Sequence, residues 1–362
     1  MSVHEKLGLK EVINASGKMS ILGVSTASPE VIAAQGAGAS HFFEMSELTA
    51  KAGAYVAQAL QAEAGHIAAS AAAGIALSVA GVIAKDKPYT PTQSYDACEI
   101  VMAKGHNVDF GAPMELMVQL GGGRVVEAGY ANTCQVEHMA EKIGPHTAAI
   151  LYVVSHHCVQ KAHLSVEEAI NLAHAHGLPI IVDAAAEEDL TTYVRMGADA
   201  VIYSGGKGIN GPSASAMVVG NQAIIAHIQQ QQQGIGRAMK VSKELILGLI
   251  TALEQFLAQA PDTLVAQQAK LQPFIDRLNT LPAYQAKLVQ DTAGRAIYRA
   301  QLQVPPAQGE QVVTQLKAGN PAIYTRDYRR NEGIIEFDVR SVNSIQLDAI
   351  AVRLEAIAST QP

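Results

Sequence analysis

The chain has 362 residues, 49% of them hydrophobic, enough to fill the cores of one large domain and a smaller one. A formal net charge of -7 and a pI near 5.9 argue against extended binding to nucleic acid or to an anionic membrane, since both need a basic surface. Three scattered cysteines, Cys98, Cys134 and Cys158, with no CxxC pair, indicate neither a disulfide framework nor a zinc ribbon and suit a reducing cytoplasm.

The first residues show no apolar core followed by a cleavage site, so no signal peptide is expected. Residues 1–45 read as an irregular N-terminal arm. Beyond them the pattern predicts a helix over 46–62, a strand over 66–70 and a helix over 74–84. That last stretch is the least polar of the chain, but alanine dominates it and Ser70, Gly74, Ser78 and Gly81 interrupt it, so it reads as a buried helix and not a membrane span. Strand and helix then alternate: strand 99–103, helix from 113, strand 124–127, helix 136–143, strand 148–154 and helix 165–176. Strand 180–183 follows, then a short helix over 187–196, strand 200–204 and strand 213–219. Such alternation is the signature of an α/β domain with a mostly parallel sheet, assigned to residues 46–243. The glutamine run Gln229–Gln233 carries no assigned chemistry. An amphipathic linking helix over 242–258 leads into a smaller α+β domain, and the two together occupy 244–362.

Two segments carry the chemistry. Ile180-Ile181-Val182-Asp183 and Ala200-Val201-Ile202-Tyr203-Ser204-Gly205-Gly206-Lys207-Gly208 each run an apolar strand into a loaded end. Ligands of parallel sheets sit beyond the carboxyl ends of the strands, so Asp183 and Lys207 are expected at one crevice. A buried carboxylate stabilises a protonated pyridine nitrogen, and a lysine in a mostly apolar pocket readily supplies the amine of a Schiff base. Either residue alone is better explained by a helix cap or a glycine turn. Together they point to pyridoxal 5'-phosphate.

Ser70-Ala71-Ala72-Ala73-Gly74, between a strand and a helix, would let backbone N–H groups approach the cofactor's phosphate. His106, after another strand, is a candidate to stack on the pyridine ring, although a lone histidine is as often structural. Ser155-His156-His157-Cys158 lacks a carboxylate ligand pattern, so no metal is expected there; Ser155 or His156 is read as a hydrogen-bonding partner of cofactor or substrate, and Ser204 as a further cofactor residue. Arg237 with Lys240 and Lys243, and Arg326, Arg329, Arg330 and Arg340 further on, are candidates for gripping an acidic substrate.

With these residues placed, the chain resembles the fold-type I pyridoxal-phosphate enzymes, whose parent fold is that of aspartate aminotransferase. Within them it resembles the selenocysteine synthase-like branch (L-seryl-tRNA selenium transferase-related), and there the D-glucosaminate-6-phosphate ammonia-lyase group. The resemblance is carried by Val12-Ile13-Asn14-Ala15-Ser16-Gly17, Leu22-Gly23, Ser28-Pro29-Glu30-Val31, Phe43-Glu44-Met45-Ser46-Glu47-Leu48, the Asp183 and Lys207 segments, and the stretch from Gly234 to Glu244. It implies Lys207 as the Schiff-base residue, Asp183 on the pyridine nitrogen, the Ser70 loop on the phosphate, and a homo-oligomer, a dimer or higher, with active sites near subunit contacts. Three alanines stand where relatives have a more polar phosphate loop, and His106-Asn107 replaces a frequent histidine-arginine pair.

The resulting expectation is a carbon-nitrogen lyase that eliminates ammonia and water from a small acidic amino-sugar acid such as D-glucosaminate 6-phosphate, leaving a 2-keto-3-deoxy acid. Lys207 would take the Cα proton, and Arg237, Arg326 or Arg340 would hold the substrate's acidic groups. An aldolase, racemase, aminotransferase or selenium transferase-like activity would use the same Lys207 and Asp183. A non-catalytic binding protein that keeps the fold is the remaining alternative.

Overall fold

The computed structural model describes residues 2–109, 111–155, 158, 161–259, 264–291 and 297–359. Its chain divides into two compact units, one formed by Thr26–Ala258 and the other by Met1–Ser25 with Gln259–Pro362. The division falls elsewhere than the sequence suggests. The first 25 residues of the arm belong with the C-terminal unit, and the remainder of the arm and the linking helix belong to the large unit.

The large unit is built on a seven-stranded sheet in the order Ala64–Ala68, Ala216–Gly220, Ala200–Ser204, Ile180–Asp183, Thr147–Val153, Glu99–Ala103, Arg124–Ala128. The five strands from Ala200–Ser204 to Arg124–Ala128 are parallel, and Ala216–Gly220 runs against both of its neighbours. Both faces are buried, which is why the strands read as continuous β-branched runs. The alternation of side chains appears in the two cores: Val101, Ile150, Val182 and Val201 pack on one face, and Ile100, Leu151, Ile181 and Ile202 on the other. Helices Met45–Ala59, Val166–Ala175 and Lys243–Ala258 contribute to the first core; Ala71–Ala84, Met114–Leu120 and Gln222–Gln230 contribute to the second.

Two segments differ from their sequence reading. Residues 187–196 form one helical turn, Thr192–Arg195, because Asp189 Oδ1 accepts the N–H groups of Thr191 and Thr192, each at 3.0 Å, and so competes with a longer helix. The arm is more regular than expected. Ser28 accepts the Val31 N–H at 3.2 Å and Pro29 stands in the first turn, starting a helix over Pro29–Ser40 that packs along Lys243–Ala258.

In the smaller unit, strands Gln285–Gln290, Tyr298–Gln303 and Ile334–Phe337 form an antiparallel sheet. Val12–Ala15 of the arm pairs in parallel with Ala322–Thr325. Ala300, Leu302, Ile335 and Phe337 turn one face of the three-stranded sheet into a core shared with helices Leu264–Leu278, Pro306–Ala318 and Ser344–Ser359. The other face is polar. There Arg299, 2% exposed, pairs with Asp291 at 2.8 Å and with Asp338 at 3.3 Å, and Asp338 is wholly buried. Burial works against an ionised Asp338, but the hydrogen bonds and charges of Arg340 and the charge of Arg299 outweigh it and hold the carboxyl below its ordinary range. Removing one partner of such a pair leaves uncompensated buried charge. Asp338→Ala should therefore destabilise the smaller unit by about 3–5 kcal/mol, read as a lower urea-unfolding midpoint.

Candidate active site

The aspartate and the lysine reach the same edge of the sheet through backbone pairing. Asp183 is the last residue of its strand, opposite Val153 on one side and Ile202 on the other. Its carbonyl accepts the Val154 N–H at 2.8 Å, and the Ala184 N–H donates to the Ile202 carbonyl at 3.0 Å. Alternation puts the Asp183 side chain on the face of Ile181, the face covered by helix Ala71–Ala84. The carboxylate is 8% exposed, and Oδ1 accepts the Ala185 N–H at 3.1 Å. Burial raises its pKa above the ordinary aspartate value, against the opposing pull of the Ala185 hydrogen bond and the Lys207 charge.

The lysine turn is held by close backbone approach. The Gly205 N–H donates to the Ser215 carbonyl at 2.9 Å, and the Gly205 carbonyl accepts the Gly211 N–H at 2.8 Å. A Cβ on Gly205 would stand 2.1 Å from Ser215 Oγ, and one on Gly206 would stand 2.7 Å from Ser213 Cα. Only glycine lets the turn fold this tightly onto the segment entering the reversed strand. Lys207, half-buried, extends from that turn, and Ser204 before it has its N–H directed at the Ala185 carbonyl at 3.4 Å.

The helix Ala71–Ala84 begins at this edge. Ser70 caps it by accepting the Ala73 N–H at 3.0 Å, and the N–H groups of Ala71 and Ala72 lie in the first turn, where no intrahelical acceptor exists. Ser70, Ala71 and Ala72 are half-buried and Ala73 is buried. Gly74 allows close packing on the sheet: a Cβ there would meet Ile202 Cγ2 at 3.0 Å.

His106 lies in the short 3-10 turn Lys104–His106 and is wholly buried, so its ring presents no face to solvent. Its Nδ1 accepts the Val153 N–H at 3.4 Å, which assigns the proton to Nε2, and Nε2 has no partner among the described residues. Tyr152 meets the ring edge-on at 4.5 Å between centroids, and His163 stacks on it at 5.5 Å and 18°. Burial and the neighbouring His163 push the His106 pKa down to about 4, so the ring is neutral near pH 7. Tyr152 and His163 escaped the sequence reading because one sits in an apolar strand and the other in an irregular connection.

Ser155 follows strand Thr147–Val153, and its carbonyl accepts the Cys158 N–H at 3.1 Å; His156 and His157 lie outside the described residues. Burial first, and the charge of Asp183 second, push the Cys158 thiol up to about 12, which makes it a poor nucleophile. Arg237 is exposed on the 3-10 turn Ile235–Met239, whose Gly236 packs close to Leu77 of the helix Ala71–Ala84. Lys243 is committed elsewhere: its Nζ donates to the Ala39 and His41 carbonyls and lies over the Phe42 ring. Arg326 and Arg340 belong to the smaller unit.

These residues fit pyridoxal phosphate. A buried carboxylate short of positive charge suits the pyridinium, and the open first turn at Ser70 suits the phosphate. The amine of Lys207 suits the aldehyde. The sheet order and this set of residues define a fold-type I pyridoxal-phosphate-dependent enzyme. The family model for L-seryl-tRNA selenium transferase matches residues 45–312, and the chain belongs to that family. It is 43% identical to a D-glucosaminate-6-phosphate ammonia lyase of Salmonella typhimurium over 99% of this chain and 98% of the relative. The solved structure of a D-glucosaminate-6-phosphate ammonia-lyase superposes with a TM-score of 0.92 at 42% identity, covering 99% of this chain and 98% of that one. A 5'-C-glycyluridine monooxygenase-decarboxylase of a Streptomyces species is 36% identical over 98% of this chain and 91% of its own.

The raised pKa of Asp183 carries a sign. The folded state holds the carboxyl proton more tightly than the unfolded chain, so the cost of ionising Asp183 is absent below an unfolded pKa of about 3.9 and grows as pH rises through the folded value. Asp183→Asn should therefore melt above the wild type at pH 7 without cofactor, and should gain less than the wild type on adding pyridoxal phosphate, as read by thermal melting with and without it.

Proposed function

We propose that the protein is an ammonia-lyase acting on D-glucosaminate 6-phosphate or a close acidic amino-sugar acid, releasing ammonia and a 2-keto-3-deoxy acid. The observation that carries this reading is the 43% identity to a D-glucosaminate-6-phosphate ammonia lyase over essentially the whole of both chains. The cofactor, when bound, supplies an electron sink for the carbon that bears the substrate amine.

The chain's own residues do the rest. The carboxylate of Asp183 would keep the pyridine nitrogen protonated. The Nζ of Lys207 would hold the cofactor's aldehyde carbon, and the same amine, when free, would take the Cα proton as general base. The Ser70 turn would bind the cofactor phosphate through backbone N–H groups, with Ser155 and Ser204 adding polar contacts; His106, wholly buried against Tyr152 and His163, presents no face for a pyridine ring and is not assigned to it. The β-hydroxyl leaves as water, and a water is taken up when the nitrogen departs, so the net change is loss of ammonia. Arg237, Arg326 and Arg340 are the candidates for the carboxylate and the phosphate ester. The net acidic charge suits a small-molecule substrate better than a polyanion. The chain would act in the cytoplasm as a homo-oligomer. The fully exposed Phe42, beside the exposed Phe43 and Met45, supplies an apolar surface suited to a subunit contact.

The 36% identity to a monooxygenase-decarboxylase supports a second reading, in which the same framework breaks a different bond of an amino acid. Product analysis separates the two. The holoenzyme given D-glucosaminate 6-phosphate should release ammonia and a keto acid in equal amounts, whereas carbon dioxide or an aldehyde would favour the second reading. Lys207→Ala should lower turnover by about 10²–10⁴-fold or more and should lose the cofactor on gel filtration, while keeping the wild-type circular dichroism spectrum.

A further inference from the structure

The glutamine run Gln229–Gln233, to which the sequence pattern gives no chemistry, is not a solvated helix face. It closes helix Gln222–Gln230 and forms the 3-10 turn Gln231–Gln233, within the large unit. Gln231 is wholly buried and its amide is satisfied on both sides. Its Oε1 accepts the Tyr89 N–H at 2.7 Å, and its Nε2 donates to the Lys87 carbonyl at 3.0 Å and to the His227 carbonyl at 3.1 Å. Gln229 Nε2 donates to the Gly65 carbonyl at 3.2 Å, and Gln232 Nε2 donates to His66 Nε2 at 2.9 Å. Burial pushes the His66 pKa down to about 4, so the ring keeps a lone pair for that bond near pH 7. Three side chains of the run thus tie one turn to the loop at Lys87–Tyr89 and to strand Ala64–Ala68.

The turn so held leads to an arginine. The Gly234 N–H donates to the Gln231 carbonyl at 3.0 Å, and the Arg237 N–H donates to the Gly234 carbonyl at 3.0 Å, so two successive backbone bonds connect the buried glutamine to Arg237. The glycines between them leave no slack. A Cβ on Gly234 would stand 3.1 Å from Pro88 Cβ, and one on Gly236 would stand 2.7 Å from the Gln231 carbonyl oxygen and 3.2 Å from Leu77 Cδ2. Leu77 belongs to helix Ala71–Ala84, whose first turn is the proposed phosphate site. The Arg237 side chain is exposed and makes no hydrogen bond or ion pair among the described residues. If filling space were the only task at position 231, an apolar side chain would do it without the cost of removing an amide from water. The amide is justified by what it orients.

We propose that Gln231 is a positioning residue for Arg237, fixing the turn from which that guanidinium reaches the carboxylate or phosphate of the substrate. This role rests on the reading above that Arg237 holds an acidic group of the substrate. Gln231 itself touches neither substrate nor cofactor and acts through the backbone of the turn Ile235–Met239. An arginine side chain carries about 2 kcal/mol of rotamer entropy, so a fixed backbone origin limits what must be ordered on binding.

The test combines steady-state kinetics of the holoenzyme on D-glucosaminate 6-phosphate with hydrogen exchange of the peptide covering residues 234–239. Arg237→Gln should raise KM by about tenfold or more and leave kcat nearly unchanged. Gln231→Leu should raise KM by about threefold to tenfold and speed exchange in that peptide, while the cofactor's visible spectrum and exchange in helix Ala71–Ala84 stay as in the wild type. Added to Arg237→Gln, it should raise KM no further, because the turn then has no guanidinium to place. Gly236→Ala presses on the same turn with Gln231 intact and should reproduce the rise in KM, so it remains informative should Gln231→Leu fail to fold. Wild-type KM in both Gln231→Leu and Gly236→Ala, or effects of Gln231→Leu and Arg237→Gln that multiply in the double variant, would overturn the positioning role. A wild-type KM in Arg237→Gln would instead sink the reading of Arg237 beneath it, whatever the exchange of the turn.

Discussion

A carboxylate removed from water at the end of a parallel strand sets the terms for the large unit. Asp183 is paired on both sides by backbone ladders, and burial disfavours its charged form. Lys207 offsets part of that cost from its own turn, and the pyridinium proposed to bind there would offset more of it. The rest of the edge follows from the same geometry. Gly205 and Gly206 permit the lysine turn to fold back on Ser213 and Ser215, and Gly74 lets the capped helix lie close on Ile202. The edge proposed to hold the cofactor thus has a tolerance set mainly by backbone contacts, which a side chain at these glycines would disrupt.

The smaller unit manages charge by a different rule. Its buried carboxylates are matched to arginines at short range, so Arg299, Asp291, Asp338 and Arg340 form a satisfied network on the polar face of a three-stranded sheet. Such networks fix geometry more than they add stability, because desolvation consumes most of the attraction. Arg326 stands at the margin of this network without a hydrogen-bonded acceptor.

Much of this was legible from the residues because burial on both faces writes strands as unbroken β-branched runs. The strand Glu99–Ala103 begins and ends where the pattern places it, and the strands bearing Asp183 and Lys207 stand side by side. What was hidden depends on partners distant in sequence. Nothing in Val12–Ala15 announces that it pairs with Ala322–Thr325, so the arm read as irregular. The reversal of Ala216–Gly220 is set by its neighbours, and residues 187–196 yielded to the local pull of Asp189. In the smaller unit the arginines were visible as candidates, but Asp338 and Asp291 were not, since a single acidic residue in a strand or loop carries no pattern until its arginine is found beside it. His163 and Tyr152, packed on His106, were invisible for the same reason.

Reduction with borohydride followed by peptide mapping tests the central claim most directly. The purified protein supplied with pyridoxal phosphate should show a visible band that borohydride bleaches, with the added mass on the peptide carrying Lys207 and on no other lysine. A band that survives reduction, or a label on a different lysine, would contradict the assignment of Lys207 and Asp183 to one cofactor site.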